Sequence, residues 1–432
     1  MSDGILIKNV RFIEPYRNFD DTVNIIIKDK TIDKIYSPDE AVDVDEINCI
    51  IDGTGLIAAP GLIDVHVHFR DPGFTYKEDI HTGALAAAKG GYTSVVLMGN
   101  TKPAVDDVDT LNYVLKSGKK EDINIYSVAT ITKGLKGEKL TDYNELKENG
   151  AVGLSDDGIP ILDEELLKKA MVLADELNLP ISLHEENPKY IVNNGVNAGC
   201  VAKELGIGGS DRQAEISLVK RDVEMALETG AILNVQHIST KEAVDIVREA
   251  KRKGCNIHAE ATPHHFTLTE EAVLKYGTLA KMNPPLRTEE DRQAIIEGLK
   301  DGTIDIIATD HAPHSKDEKK RPITEAPSGI IGLETALALG ITNLVNNNHL
   351  SFMELFDRMV CGPAKLYGFD TSIEEGSYAD LVIINPNEEW IVGDFKSKSC
   401  NSPFLNWRLK GKVKYTICGG EIIYREDDLK NE

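Results

Sequence analysis

The stretch Gly61-Leu62-Ile63-Asp64-Val65-His66-Val67-His68-Phe69-Arg70 reads as a strand rich in β-branched and apolar residues. Successive side chains on a strand point to opposite faces. Ile63, Val65, Val67 and Phe69 then share one face, which suits packing under helices. Asp64, His66, His68 and Arg70 share the other, which points inward if the strand belongs to a barrel. Two imidazoles two residues apart on a buried face can hold one metal ion. On a solvent-facing strand the same spacing carries no such meaning.

Working outward, apolar strand-like runs occur at 62–69, 93–98, 123–130, 151–155, 180–184, 231–237, 256–261 and 304–310. Helical stretches lie between most of them, among them Thr82–Lys89, Asp163–Leu177, Asp211–Glu228, Lys241–Arg252 and Glu289–Leu299. Eight such alternations predict an α/β fold, a (β/α)₈ barrel, over an open doubly wound sheet. No G-x-G-x-x-G opens a helix after the first strand, which weakens the dinucleotide-fold alternative. The flanks differ. Ile5–Val10, Val23–Lys28 and Thr31–Tyr36 at one end, and Asp380–Ile384, Glu389–Val392, Val413–Cys418 and Glu421–Tyr424 at the other, read as short strands. We therefore expect residues 1–58 and 372–432 to pair into one small β-sandwich domain, with the barrel at 59–371.

Composition narrows the class. The chain of 432 residues is 41% hydrophobic and 28% charged, the balance of a globular protein. Its 48 basic and 71 acidic side chains give a net charge of −23, which argues against nucleic-acid and anionic-membrane partners. The six cysteines are scattered, with no C-x-x-C pair, so neither a disulfide scaffold nor a thiolate zinc cage is expected. The opening MSDGILIKN has no secretory pattern, and no apolar run reaches the roughly 18 residues of a membrane helix. The expected location is the cytoplasm.

Further polar residues fall at the ends of the other runs. His184 ends 181–184, His237 ends 232–237 and Asp310 ends 304–310, while Asp157 follows 152–155 and Asn100 follows 95–98. Barrel enzymes keep their active sites at the C-terminal ends of the strands. Each residue alone fits a structural role. Four histidines and two aspartates converging at one barrel mouth fit a metal-assisted hydrolytic centre.

The chain resembles the amidohydrolase superfamily and, within it, the bacterial type I dihydroorotases. The motifs that carry the resemblance run in order along the whole chain: DVHVHFRDPG (64–73), GNTKP (99–103), SDDG (155–158), LHEE (183–186), QHIST (236–240), EATPHH (260–265), MNPPLR (282–287), TDHAPH (309–314) and APSG (326–329). The resemblance implies a binuclear zinc site, with His66, His68 and Asp310 on one ion and His184 and His237 on the other. It implies two Zn²⁺ bridged by a hydroxide and by Asp157, with Asp156 as the competing bridge, since no lysine is found on the 151–155 run. The implied reaction is the reversible cyclisation of N-carbamoyl-L-aspartate to L-dihydroorotate plus water in pyrimidine biosynthesis, with Asp310 as proton shuttle. The implied substrate contacts are His68, Arg70, Asn100, Asn283, His314, Ser328 and Gly329. Two positions depart from the common pattern: Gly99 stands where Pro is usual, and Ser328 where Phe is frequent. Arg70 has an alternative use in an ion pair with Asp64 or Asp71. His264 and His265 match a motif without a ligand role and read as structural, and His81, His258 and His349 as ordinary histidines.

Two other functions stay open on sequence. One is a related cyclic amidohydrolase, such as a hydantoinase, dihydropyrimidinase or allantoinase. The other is a non-catalytic scaffold for aspartate transcarbamoylase, although such scaffolds tend to lose metal ligands and all six stand here. A homodimer and a complex with that transcarbamoylase are the two assemblies the resemblance brings into view.

Overall fold

Parallel strands from eight places along the chain close into a ring. In the computed structural model, which describes residues 4–41 and 47–426, Leu62–Val67 pairs with Tyr92–Leu97, and that strand with Asn124–Ser127. On the other side Ile181–Leu183, Leu233–Val235, Ile257–Ala261 and Ile306–Ile307 pair in that order. Leu154 joins the two arcs by bridging Ala129 and Ile181. Val67 closes the ring against His311, and the His68 N–H donates to the His311 carbonyl at 2.9 Å. The expected run 151–155 is thus reduced to a single bridging residue. The chain leaves the ring just after Leu154, because the Asp156 carboxylate takes the backbone N–H groups of Ile131 and Thr132 at 2.7 and 3.1 Å.

The helices form where their caps dictate. Asp79 accepts from the Thr82 N–H at 2.8 Å while the Thr82 hydroxyl accepts from the Asp79 N–H, and Ile80–Gly90 follows. Asp163 caps Glu164–Glu176, Thr240 caps Lys241–Arg252, and Thr288 with Asp291 caps Glu289–Asp301.

Strict alternation along the first strand does not hold. Val67 and Phe69 pack outward with the helices, as expected, and Phe69 lies against Gly83. Ile63 and Val65 instead join Val96, Val128, Ile306 and Ala308 in the barrel interior. The register shifts between Asp64 and Val67, where one extra residue lets His66 follow Val65 on the inner side. Asp64 consequently leaves the histidine face. Its carboxylate accepts from the backbone N–H groups of His66 and Thr309, and burial lifts its pKa to about 6.

Both flanks of the chain enter one eight-stranded sheet. Ile57–Pro60 runs parallel to Gly4–Glu14 on one side and antiparallel to Leu381–Ile391 on the other. The two expected strands at 380–384 and 389–392 are one, Leu381–Ile391, with an irregular register between Asn385 and Glu389. Alternation works cleanly here. Ile57, Ala59, Val382 and Ile384 face the barrel, whereas Ala58, Leu381 and Ile383 face a second core with Ile7, Phe12, Ile25 and Ile417. The extreme ends of the expected sandwich domain, 1–3 and 427–432, and residues 42–46 lie outside the described residues. No helix among the described residues is long and apolar enough to cross a membrane.

Candidate metal centre and active site

The ring places His66, His68, Asp157, His184 and His237 at one end, all buried. Asp157 lies between two pairs of imidazoles. Its Oδ1 is 3.5 Å from His66 Nε2, 3.5 Å from His184 Nδ1 and 4.0 Å from His237 Nε2, and its Oδ2 is 3.4 Å from His68 Nε2. Two triads that could hold a metal ion result, His66–His68–Asp157 and Asp157–His184–His237, with Asp157 common to both. Asp310 adjoins the first, its Oδ1 3.0 Å from His68 Nε2 and 3.6 Å from His66 Nε2. Asp156 is spent elsewhere, on the Ile131 and Thr132 backbone and the Thr132 hydroxyl.

The electrostatics of this cluster follow from crowding. Burial opposes an ionised Asp157, but His66, His184 and His68 outweigh it and hold the carboxyl well below the usual range. Burial also opposes a charged His184, yet Asp157 and Glu186 raise it to about 10. His237 is driven the other way, well down, by burial and by its neighbours His184 and His66. One shared carboxylate among four imidazoles is an arrangement that favours positive charge at its centre.

A divalent ion fits these donors. His66 Nε2 is buried and has no hydrogen-bond partner among the described residues, although the same ring is held from behind by Glu260 at 2.9 Å from Nδ1. His184 is backed likewise by Glu186, 3.2 Å from its Nε2. Carboxylates behind imidazoles fix the ring tautomer and aim the free nitrogen, the usual setting of metal-ligating histidine. The donors are imidazole nitrogens and carboxylate oxygens, which suit zinc and similar divalent ions.

Of the remaining expected residues, Asn100 reaches the same cluster. It bridges His68 and Asp157, with Oδ1 3.0 Å from His68 Nδ1 and Nδ2 donating to Asp157 Oδ2 at 2.8 Å. Arg70 is half-buried and donates to the Pro313 carbonyl at 3.3 Å; among the described residues it pairs with neither Asp64 nor Asp71. His314 donates through Nε2 to the Ser328 carbonyl at 2.8 Å, and its Nδ1 is 3.3 Å from Lys77 Nζ. Asn283 Oδ1 and Ser328 Oγ are buried, without hydrogen-bond partners among the described residues. Gly329 has φ +121°, and a Cβ there would stand 2.7 Å from Ala312 Cβ. Arg70, His237 and Asp310 take φ of +59°, +34° and +48°, conformations that L residues avoid and that a surrounding fold must hold in place.

Three contributors are not apparent from the pattern of histidines. Two are Glu260 and Glu186, whose only signal is a charge inside a motif. The third is a pair of buried lysines: Lys281 donates to the Ala326 carbonyl at 2.7 Å, and Lys319 to the Pro327 and Gly329 carbonyls at 2.9 and 3.0 Å. They clamp the segment that carries Ser328. His265, bonded to Thr262 and to the Pro284 carbonyl, is structural, whereas buried His264 has no hydrogen-bond partner at either ring nitrogen. His258 forms a partly buried pair with Asp305 at 2.8 Å.

This closed barrel, with histidines and aspartates that could hold a metal ion at its strand ends, defines a class. A family model described as the amidohydrolase family matches residues 57–423, and the chain belongs to that family. It is 57% identical to a dihydroorotase of Clostridioides difficile (strain 630), over 97% of this chain and 99% of that protein. It is 50% identical to a dihydroorotase of Clostridium acetobutylicum, over 98% and 100%. Among solved structures, an L-hydantoinase (dihydropyrimidinase) from Arthrobacter aurescens superposes with a TM-score of 0.87 at 24% identity, covering 98% of this chain and 96% of that one. At that identity the likeness speaks for the shared fold alone.

Proposed function

We propose that this protein is a zinc-dependent dihydroorotase, interconverting N-carbamoyl-L-aspartate and L-dihydroorotate plus water in pyrimidine biosynthesis. The observation that carries the reading is the Asp157 carboxylate set between His66/His68 and His184/His237. The near full-length identity to dihydroorotases supports the substrate. In this reading His66, His68 and Asp310 would hold one zinc ion, His184 and His237 the other, and Asp157 would serve both. Zinc held there would supply Lewis-acid chemistry to the amide carbonyl and to water.

The protein's own groups do the rest. Asp310 takes the proton of the attacking water and returns it to the ring nitrogen as the carbon–nitrogen bond breaks; cyclisation runs the same transfers backwards. Arg70 holds the substrate carboxylate with its planar fork. Asn283 Oδ1, free of partners, accepts from a ring N–H. Asn100 serves the site through His68 and Asp157 as well as by direct contact. His314 and the backbone at Ser328 and Gly329 complete the pocket, and the boundaries of the barrel domain are set at 59 and 371.

Purified protein loaded with zinc is expected to interconvert dihydroorotate and carbamoyl-aspartate. Turnover of hydantoin or dihydrouracil in its place rejects the substrate. A protein that binds no metal and turns over no cyclic amide is a scaffold.

A further inference from the structure

Glu260 sits within the strand Ile257–Ala261, fully buried. Its Oε2 is 2.9 Å from His66 Nδ1 and accepts from the backbone N–H of His237 at 3.4 Å. Its Oε1 accepts from Asn234 Nδ2 at 2.6 Å, and the same amide donates to Ser182 Oγ at 3.0 Å. Among the described residues no lysine or arginine pairs with it, and His66 is its ion-pair partner.

An ionised carboxylate only accepts hydrogen bonds. Facing Nδ1, it anchors that nitrogen and turns Nε2 toward Asp157, 3.5 Å away, the side on which a metal ion would sit. The second bond acts on another element. His237 stands at φ +34°, and its N–H, anchored on the same oxygen, belongs to the backbone from which the imidazole reaches Asp157. One oxygen therefore touches one ligand residue from each triad. Glu186 offers a contrast, since it meets the cluster through His184 Nε2 alone.

We infer that Glu260 is a positioning residue shared by the two metal positions, so that its loss weakens both together, whereas loss of Glu186 weakens one. The inference rests on the metal centre proposed above.

The test uses the full-length protein and the variants Glu260→Gln, Glu260→Ala and Glu186→Gln. Each is stripped of metal, equilibrated at a series of chelator-buffered free zinc concentrations, and analysed for zinc per chain. Circular dichroism and thermal unfolding of the stripped proteins report folding; Glu260→Gln, which keeps size and an acceptor, decides the matter if the alanine variant does not fold. Both filling steps are expected to move to about 10- to 100-fold higher free zinc in the Glu260 variants, with glutamine at the lower end. One step only should move in Glu186→Gln. Wild-type filling curves in folded Glu260 variants, or a shift of one step alone, overturn the inference while leaving the metal centre intact. A wild-type protein that takes up no zinc overturns the metal centre itself, and the inference with it.

Discussion

Arg70→Ala separates substrate binding from architecture. Among the described residues the guanidinium makes one hydrogen bond, to the Pro313 carbonyl at 3.3 Å, so little of the fold depends on it. A hydrogen bond to a charged group contributes about 1.5–3 kcal/mol, and 1.4 kcal/mol is a factor of ten. Losing the carboxylate contact therefore raises KM roughly ten- to a hundredfold, with kcat within a few-fold of wild type. Arg70→Lys keeps the charge but not the planar fork, and falls between. The backbone at φ +59° needs its own control, because alanine keeps that unfavourable conformation and glycine relaxes it. Arg70→Gly should match Arg70→Ala in KM and be the more stable of the two. Steady-state kinetics in both directions, followed by the loss or gain of the cyclic amide in the ultraviolet, give KM and kcat, and calorimetry gives Tm. A fall in kcat at unchanged KM, or a loss of stability of several kcal/mol, refutes the assignment and makes Arg70 structural.

Other outcomes are equally definite. Asp310→Asn should lose at least about a hundredfold in kcat with circular dichroism unchanged, since it removes the proton carrier; near wild-type turnover rejects that role. Gly83→Ala places a Cβ 2.4 Å from the Phe69 ring, so it should destabilise the barrel by about 1–3 kcal/mol, read as a lower denaturant midpoint. Lys319 predicts a pH effect. Burial, aided by Lys281, lowers its pKa from 10.5 to about 7, so between pH 7 and 10.5 the unfolded chain binds a proton that the folded chain does not. Stability should rise with pH across that window relative to Lys319→Met, by at most about 1.4 kcal/mol per unit, and the difference should be flat below pH 7. Parallel stability–pH curves for the two proteins reject this.

Much of this architecture is written locally. The helix starts at Asp79, Asp163, Thr240 and Thr288 are side-chain caps, and the candidate ligand residues fall at the ends of apolar runs. What was not legible depends on contacts distant in sequence. Period-two reading put Ile63 and Val65 on the wrong side because the register shift at Asp64–Val67 answers to the neighbouring strand, not to residues 62–69. The run at 151–155 looked like a full strand, yet Asp156 draws the chain away through Ile131 and Thr132, some 25 residues earlier. The same bonds separate Asp156 from Asp157, which spacing could not do. Glu260 stood in a quoted motif as an unexplained charge. Its meaning needs His66, 194 residues away.

The seam at Ile57–Pro60 has a consequence for biosynthesis. This strand lies between Gly4–Glu14 and Leu381–Ile391, so its second neighbour is made only after the whole ring of parallel strands. At about 5–20 residues per second, a nascent chain spends many seconds with that edge open, its unpaired N–H and C=O groups beside Ile57 and Ala59. Open apolar edges recruit strands from other chains. A message truncated before codon 381 would yield a barrel carrying a permanent adhesive edge, a product suited to capture by chaperones and to clearance. Leu381–Ile391 is thus the segment whose arrival closes this edge.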